Sequence, residues 1–147
     1  MNIFIIDTNI IFSSILNSES EIGRFIISSS RNEVKLYAPE FLQGEIERYI
    51  PKLIKLSSTD EKIIRRIITL VYSQITFISD VQIPFEYYKN AIPYVRDVDM
   101  DDLVFVALSD FLNVPLWTGD LKLYRELKAK GYNRVVVFQE IKEELNF

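Results

Sequence analysis

No cysteine and no histidine occur among the 147 residues of this chain. The first absence removes disulfides, thiolate nucleophiles and zinc–thiolate sites, and it accords with a reducing compartment. The second removes every histidine-based triad, histidine general bases and imidazole metal ligands. Any metal must therefore be held by oxygen, which favours Mg²⁺ or Mn²⁺ over Zn²⁺. Long apolar runs are also missing. The longest are far shorter than a bilayer span and charges interrupt them, so no membrane partner is expected. Met1-Asn2-Ile3-Phe4 leads straight into a strand-like run. It has no basic n-region and no cleavage site, so the expectation is a cytoplasmic chain without a signal peptide. An excess of positive charge is lacking too: the net charge is −4. A nucleic-acid partner would have to use a local basic face. Internal repeats, low-complexity segments and interdomain linkers are absent.

What is present points to one α/β domain over residues 1–147. Hydrophobic residues make up 48% and charged residues 26%, enough to bury a substantial core. Ile3-Phe4-Ile5-Ile6 reads as a buried parallel strand. Further short strands are expected at Lys35–Ala38, Ile75–Ile78, Val114–Trp117 and Arg134–Phe138. Helical spacing marks Ile10–Leu16, Glu19–Ser30, a segment from Phe41 to Ile50, Asp60–Val71, Pro84–Tyr94, Leu103–Leu112 and Leu121–Leu127, with a short acidic helix from Gln139. Pro51 is expected to break the helix that carries Phe41 to Ile50, and Gly131 to close the helix that follows Asp120. The alternation of strand and helix predicts a mostly parallel central sheet flanked by helices.

The acids organise this scheme. Asp97-Val98-Asp99-Met100-Asp101-Asp102 carries four carboxylates in six residues, directly before the apolar run Leu103–Leu108. Clustered like charges persist beside a core only when something cationic neutralises them. Asp7 ends the first strand and Asp120 ends a later one. Strand C-ends and helix N-ends lie on the same edge of a parallel sheet, so Asp7, Asp99, Asp102 and Asp120 are expected to meet there. Glu45 neighbours the apolar positions Phe41, Leu42 and Ile46, and could reach in from the side. Each acid also has a plainer explanation. Asp7, with Thr8 and Asn9, suits a helix N-cap, and Glu45 suits a solvated helix face. Carboxylates converging from separate elements, with no lysine motif beside them, form a divalent-cation site that can polarise a phosphate and activate water.

Four motifs carry a resemblance to a known family. They are Ile5-Ile6-Asp7-Thr8-Asn9-Ile10, Pro39–Ile46 with its acid at Glu45, Asp99–Leu108, and Leu116-Trp117-Thr118-Gly119-Asp120. In this order and spacing they resemble the PIN-domain family of metal-dependent ribonucleases, which includes the VapC-type toxins. The resemblance covers nearly the whole chain. It implies a PIN-like fold and a Mg²⁺- or Mn²⁺-dependent endoribonuclease. Asp7, Glu45, Asp102 and Asp120 would form the metal site, with Asp99 either a ligand or a support for Asp102. Asn9 and Thr118 would be polar groups behind the ligands, although local turn and cap bonding would explain them nearly as well. Asp97 and Asp101 read as solvated or capping charges. The resemblance also implies a homodimer and an antitoxin partner. RNA contacts are expected at Arg96, Lys122 and Arg125, which flank the acidic edge. The competing readings are a PIN-like scaffold that binds RNA or protein without cutting, and a phospho-accepting receiver domain. The scaffold has no need of so costly an acid cluster. The receiver needs a lysine at the end of a late strand, and Val135-Val136-Val137-Phe138 supplies none.

Overall fold

The computed structural model describes residues 2–147; Met1, at the head of the first predicted run, lies outside them. Five strands alternate with helices. They are β1 (Asn2–Ile6), β2 (Val34–Pro39), β3 (Ile75–Ile78), β4 (Leu116–Trp117) and β5 (Val135–Val136). The helices are α1 (Thr8–Leu16), α2 (Glu21–Ile27), α3 (Phe41–Ser57), α4 (Glu61–Tyr72), α5 (Phe85–Val95), α6 (Leu103–Leu112), α7 (Leu121–Ala129) and α8 (Phe138–Leu145). The sheet order is β3-β2-β1-β4-β5 and every pairing is parallel, so the sheet is fully rather than mostly parallel.

That order decides where a site can form. The chain moves outward from β1 through β2 to β3, then returns to the other side of β1 for β4 and β5. The direction of winding therefore reverses between β1 and β4. Connections leave these two strands to opposite faces, and a crevice opens at their carboxyl ends. Asp7 directly follows β1, and Thr118-Gly119-Asp120 follows β4. Asp7 N–H donates to the Trp117 carbonyl at 3.2 Å, which holds the two strand ends side by side. A Cβ added at Gly119 would lie 3.2 Å from Ile10 Cδ1. The absence of a side chain there lets the turn after β4 close onto the start of α1.

The core accounts for the length of the central elements. Ile5 and Ile6 of β1 are fully buried, and so is α6 from Val106 to Ser109. Such two-sided burial is the reason these runs show no polar alternation. Trp117 stacks on Phe138 at 5.6 Å and meets Phe25 edge-on at 5.5 Å, which fastens α2 and α8 to β4.

Several predicted boundaries are corrected. Pro51 does not end a helix, because α3 runs on to Ser57 with Pro51 inside it. A proline in a helix interior costs about 3 kcal/mol. Leu42, Ile46, Ile50 and Leu53 nevertheless form one buried stripe across it, and this packing outweighs the lost hydrogen bond. The segment Glu19–Ser30 is not one helix. Ser20 caps α2 through its hydroxyl, which accepts from Gly23 N–H, and a 3₁₀ turn over Ser29–Asn32 follows. The last two strands shrink to two residues each, and Phe138, expected at the end of the last strand, belongs to α8. Gly131 adopts a left-handed conformation beyond α7, as its type predicts.

Candidate active site

The carboxyl edge of the sheet holds a small pocket whose charged lining is wholly acidic. Asp7, Glu45, Asp99, Asp101, Asp102 and Asp120 all line it, along with Thr8 and Asn9. Its volume is about 90 Å³, and no lysine or arginine contributes to its wall.

Each acid is held by the element that delivers it. Asp7 is the N-cap of α1: its Oδ1 accepts from Ile10 N–H at 3.0 Å, and its Oδ2 accepts from the Thr118 hydroxyl. Asp7 therefore caps a helix, as its plainer explanation expects, and also lines the pocket. Thr118 in turn accepts from Asp120 N–H at 3.0 Å, so one hydroxyl ties Asp7 to the turn that carries Asp120. Asp120 caps α7, with Oδ1 accepting from Lys122 and Leu123 N–H at 2.9 and 3.1 Å. Glu45 is not on a solvated face. It is only 5% exposed, and its Oε1 accepts from the Thr8 hydroxyl at 2.5 Å. Asp99 accepts from Asp101 N–H at 2.9 Å and fixes the 3₁₀ turn Met100–Asp102 that leads into α6. Asp97 is drawn away from the pocket by Lys130, whose Nζ also donates to the Tyr94 carbonyl at 3.1 Å.

Asp102 is the exception. Its Oδ2 is buried and has no hydrogen-bond partner among the described residues. An orphaned buried carboxylate oxygen is costly unless it is protonated or meets a cation. Its carboxyl is pushed up to about 7, first by burial and then by the charges of Asp99, Asp7, Asp120 and Glu45. Those four acids therefore lie within electrostatic reach of one oxygen-bearing group. Asp7 is pushed up to about 6, chiefly by burial, against the opposing hydrogen bonds from Thr118, Ile10 and Gly119. Burial also raises Glu45, partly offset by its bond from Thr8. Among the described residues no three acids are arranged as a ready-made ion cage.

The chain matches a family model described as PIN domain over residues 5–139. This chain belongs to the PIN-domain family. Among solved structures, the PIN fold here is similar to the VapBC2 structure from Rickettsia felis, solved bound to a DNA fragment from its promoter. The TM-score is 0.67 at 14% identity, covering 92% of this chain and 96% of that one. It is also similar to VapBC-1 from nontypeable Haemophilus influenzae, with a TM-score of 0.57 at 21% identity, covering 86% and 93%. No curated protein matches the chain.

Among the other expected residues of this PIN domain, Asn9 lines the pocket and is exposed, and Thr118 is buried beneath it. Arg96, Lys122 and Arg125 are exposed and none lines the acid pocket. Two residues were missed. Thr8 is the donor that orients Glu45, although it stands in the first motif. Arg48 lines a cavity that also includes Glu45, and its charge favours the ionised Glu45. Its spacing of three residues from Glu45 on a helix was the available signal. Among the described residues no helix is long and apolar enough to cross a membrane.

Proposed function

We propose that this PIN domain is a Mg²⁺- or Mn²⁺-dependent ribonuclease that hydrolyses RNA phosphodiester bonds. The observation that carries the reading is the buried, unpartnered Asp102 Oδ2 in a pocket walled by five further carboxyls. The donor set fits a hard divalent cation, because every charged donor is oxygen. Asp7, Asp102 and Asp120 would hold the ion, with Glu45 and Asp99 completing the set. A cation bound there supplies a Lewis acid that polarises the phosphoryl oxygen and activates water.

The chain's own residues do the rest. Thr118 keeps the Asp7 carboxylate turned toward the crevice and locks it to Asp120. Thr8 does the same for Glu45. Where it does not hold the ion, Glu45, whose proton affinity burial raises, is suited to take the proton of the attacking water as the new phosphorus–oxygen bond forms and the bond to the leaving ribose oxygen breaks. The helix N-termini capped by Asp7 and Asp120 leave those acids pre-positioned, so little reorganisation remains for the reaction.

The receiver reading finds no lysine in the pocket wall to hold a phosphoryl group. The scaffold reading leaves the orphaned Asp102 oxygen without a purpose. An antitoxin partner belongs to the proposal because both similar structures carry the VapBC name. Ile63 and Leu70, seven residues apart on α4, are large apolar side chains left exposed, which supports a contact with another chain such as a second copy. The test of the activity is cleavage of single-stranded RNA with Mg²⁺ or Mn²⁺. EDTA and Asp7→Asn should each abolish it, and cleavage that survives both would refute the assignment.

A further inference from the structure

The acid pocket is too small for the polymer that the proposed function brings to it. About 90 Å³ admits an ion and its waters, but not a nucleobase beside them. An RNA strand crossing the pocket must lay its bases against the walls outside. Two larger cavities adjoin. One of about 300 Å³ shares Glu45 with the acid pocket and extends past Gly44 to Arg48. The other, of about 270 Å³, shares Asp101 and is walled by Phe41, Tyr88, Met100 and Leu103. The two have Phe41 and Asp80 in common, so their walls meet at the N-terminus of α3.

The second cavity has the chemistry of a base slot. Phe41 packs edge-on against Phe105 at 6.2 Å, and Phe105 lines the acid pocket, so the slot is rigidly registered to it. Tyr88 is fixed by its hydroxyl, which donates to the Asp80 carbonyl at 2.6 Å. Met100, 49% exposed, adds a soft and adaptable wall. Every base offers a π-face to such surfaces. The edge chemistry narrows the choice. Asp80 Oδ1 accepts from Phe41 N–H at 3.3 Å, and its other oxygen has no protein donor among the described residues. Asp101 stands beside it in the same wall. Carboxylates accept hydrogen bonds from exocyclic amino groups and repel carbonyl oxygens. An apolar protein side chain would leave both carboxylates without donors. Arg48 is exposed and forms no ion pair among the described residues. Nothing lies within 4 Å of the position a Cβ would take at Gly44, which lines the same cavity as Arg48.

We propose that the slot formed by Phe41, Tyr88, Met100 and Leu103 binds one unpaired, amino-bearing base of the RNA, in preference to uracil, while Arg48 holds a neighbouring phosphate. This rests on the RNA reading above and adds a specificity site to it. The test uses the second of the chain's two methionines as a reporter. Protein labelled at the methionine methyl carbon is titrated with CMP and with UMP in the presence of Mg²⁺, with Met100→Leu assigning the signal. CMP should move the Met100 signal saturably and bind about fivefold or more tightly than UMP, the worth of roughly one hydrogen bond. Asp80→Asn keeps the acceptor for Phe41 N–H and removes the charge, so it should bring the two nucleotides to within about twofold. Equal affinities in the unmodified protein, or a signal indifferent to both nucleotides, overturns the proposal. A slot silent to nucleotides but shifted by N-acetyl-leucine amide would assign it to a protein partner and also overturn it. RNA cleavage with a silent Met100 signal would remove the slot and leave the nuclease standing. A responsive slot in a protein that cuts no RNA would do the reverse.

Discussion

Replacing Asp7 by asparagine should make the metal-free protein more stable and the loaded protein inactive. Asp7 is 4% exposed, and burial lifts its carboxyl from 3.8 to about 6. At about 1.36 kcal/mol per pH unit, ionising it in the folded chain costs about 3 kcal/mol at pH 7. Asparagine escapes that cost and keeps the Oδ1 acceptor for Ile10 N–H. It loses the acceptor for the Thr118 hydroxyl, worth about 1 kcal/mol. The expected gain is therefore about 2 kcal/mol at pH 7. The sign follows from the direction of the shift. A carboxyl whose folded value is raised contributes stability that is fully present below 3.8 and is lost as pH rises through about 6. The variant lacks that contribution. Its advantage should shrink as pH falls from 7, reverse between about pH 5 and 4, and approach a deficit of about 1 kcal/mol below about pH 3. Urea unfolding in EDTA at several pH values measures this directly. RNA cleavage by the same variant should fall by more than about 100-fold, since altering even a ligand's hydrogen-bond partner costs 10–100-fold. A variant less stable than the parent at pH 7, or a difference flat with pH, would refute the burial argument for Asp7.

Thr118→Val keeps the shape of the buried side chain but leaves Asp7 Oδ2 without its donor. Urea unfolding should show a loss of about 1–3 kcal/mol at pH 7, the cost of an unsatisfied buried group. Adding Mg²⁺ or Mn²⁺ should raise the melting temperature by several degrees at pH 8, through binding to the folded state alone. The rise should be smaller at pH 5.5, where protons occupy Asp7 and Asp102, whose carboxyls lie at about 6 and about 7; a calorimetric melt indifferent to both ion and pH would speak against ion binding. Lys122→Glu with Arg125→Glu should weaken single-stranded RNA binding and flatten its dependence on salt, each contact counting for about 0.7 of a unit of slope. Fluorescence anisotropy across a salt series reads both quantities.

The strand-by-strand architecture was legible because its signals are local. Ile3–Ile6 is a short β-branched run ending at a capping residue, and Leu103–Leu108 is apolar on all sides because α6 is buried all round. The meeting of Asp7, Asp102 and Asp120 at one pocket followed from topology, since strand ends and helix starts share an edge, whereas Glu45, inside α3, was pointed to by its apolar neighbours and by the family resemblance. What was hidden depends on tertiary contacts. Pro51 reads as a breaker in isolation, and only the stripe Leu42, Ile46, Ile50 and Leu53 shows why α3 continues. The bond from Thr8 to Glu45 spans 37 positions, so no spacing rule could reveal it. Asp97 looked like a solvated charge because its partner, Lys130, lies on the far side of α6 and β4 in the sequence. Arg48 lay within reach of helical periodicity, but the cavity that gives it meaning exists only after α3 meets the turn at Asp80.

The central claim is that Asp102 and the acids around it hold a divalent cation. Crystals grown with Mn²⁺ and measured for anomalous scattering test it most directly. The account predicts one or more peaks inside the acid pocket, with Asp102 Oδ2 among the ligands at a distance of about 2.2 Å and carboxylate oxygens of Asp7 or Asp120 completing the set. A pocket without a peak at millimolar Mn²⁺, or a peak that leaves Asp102 unligated, would contradict it.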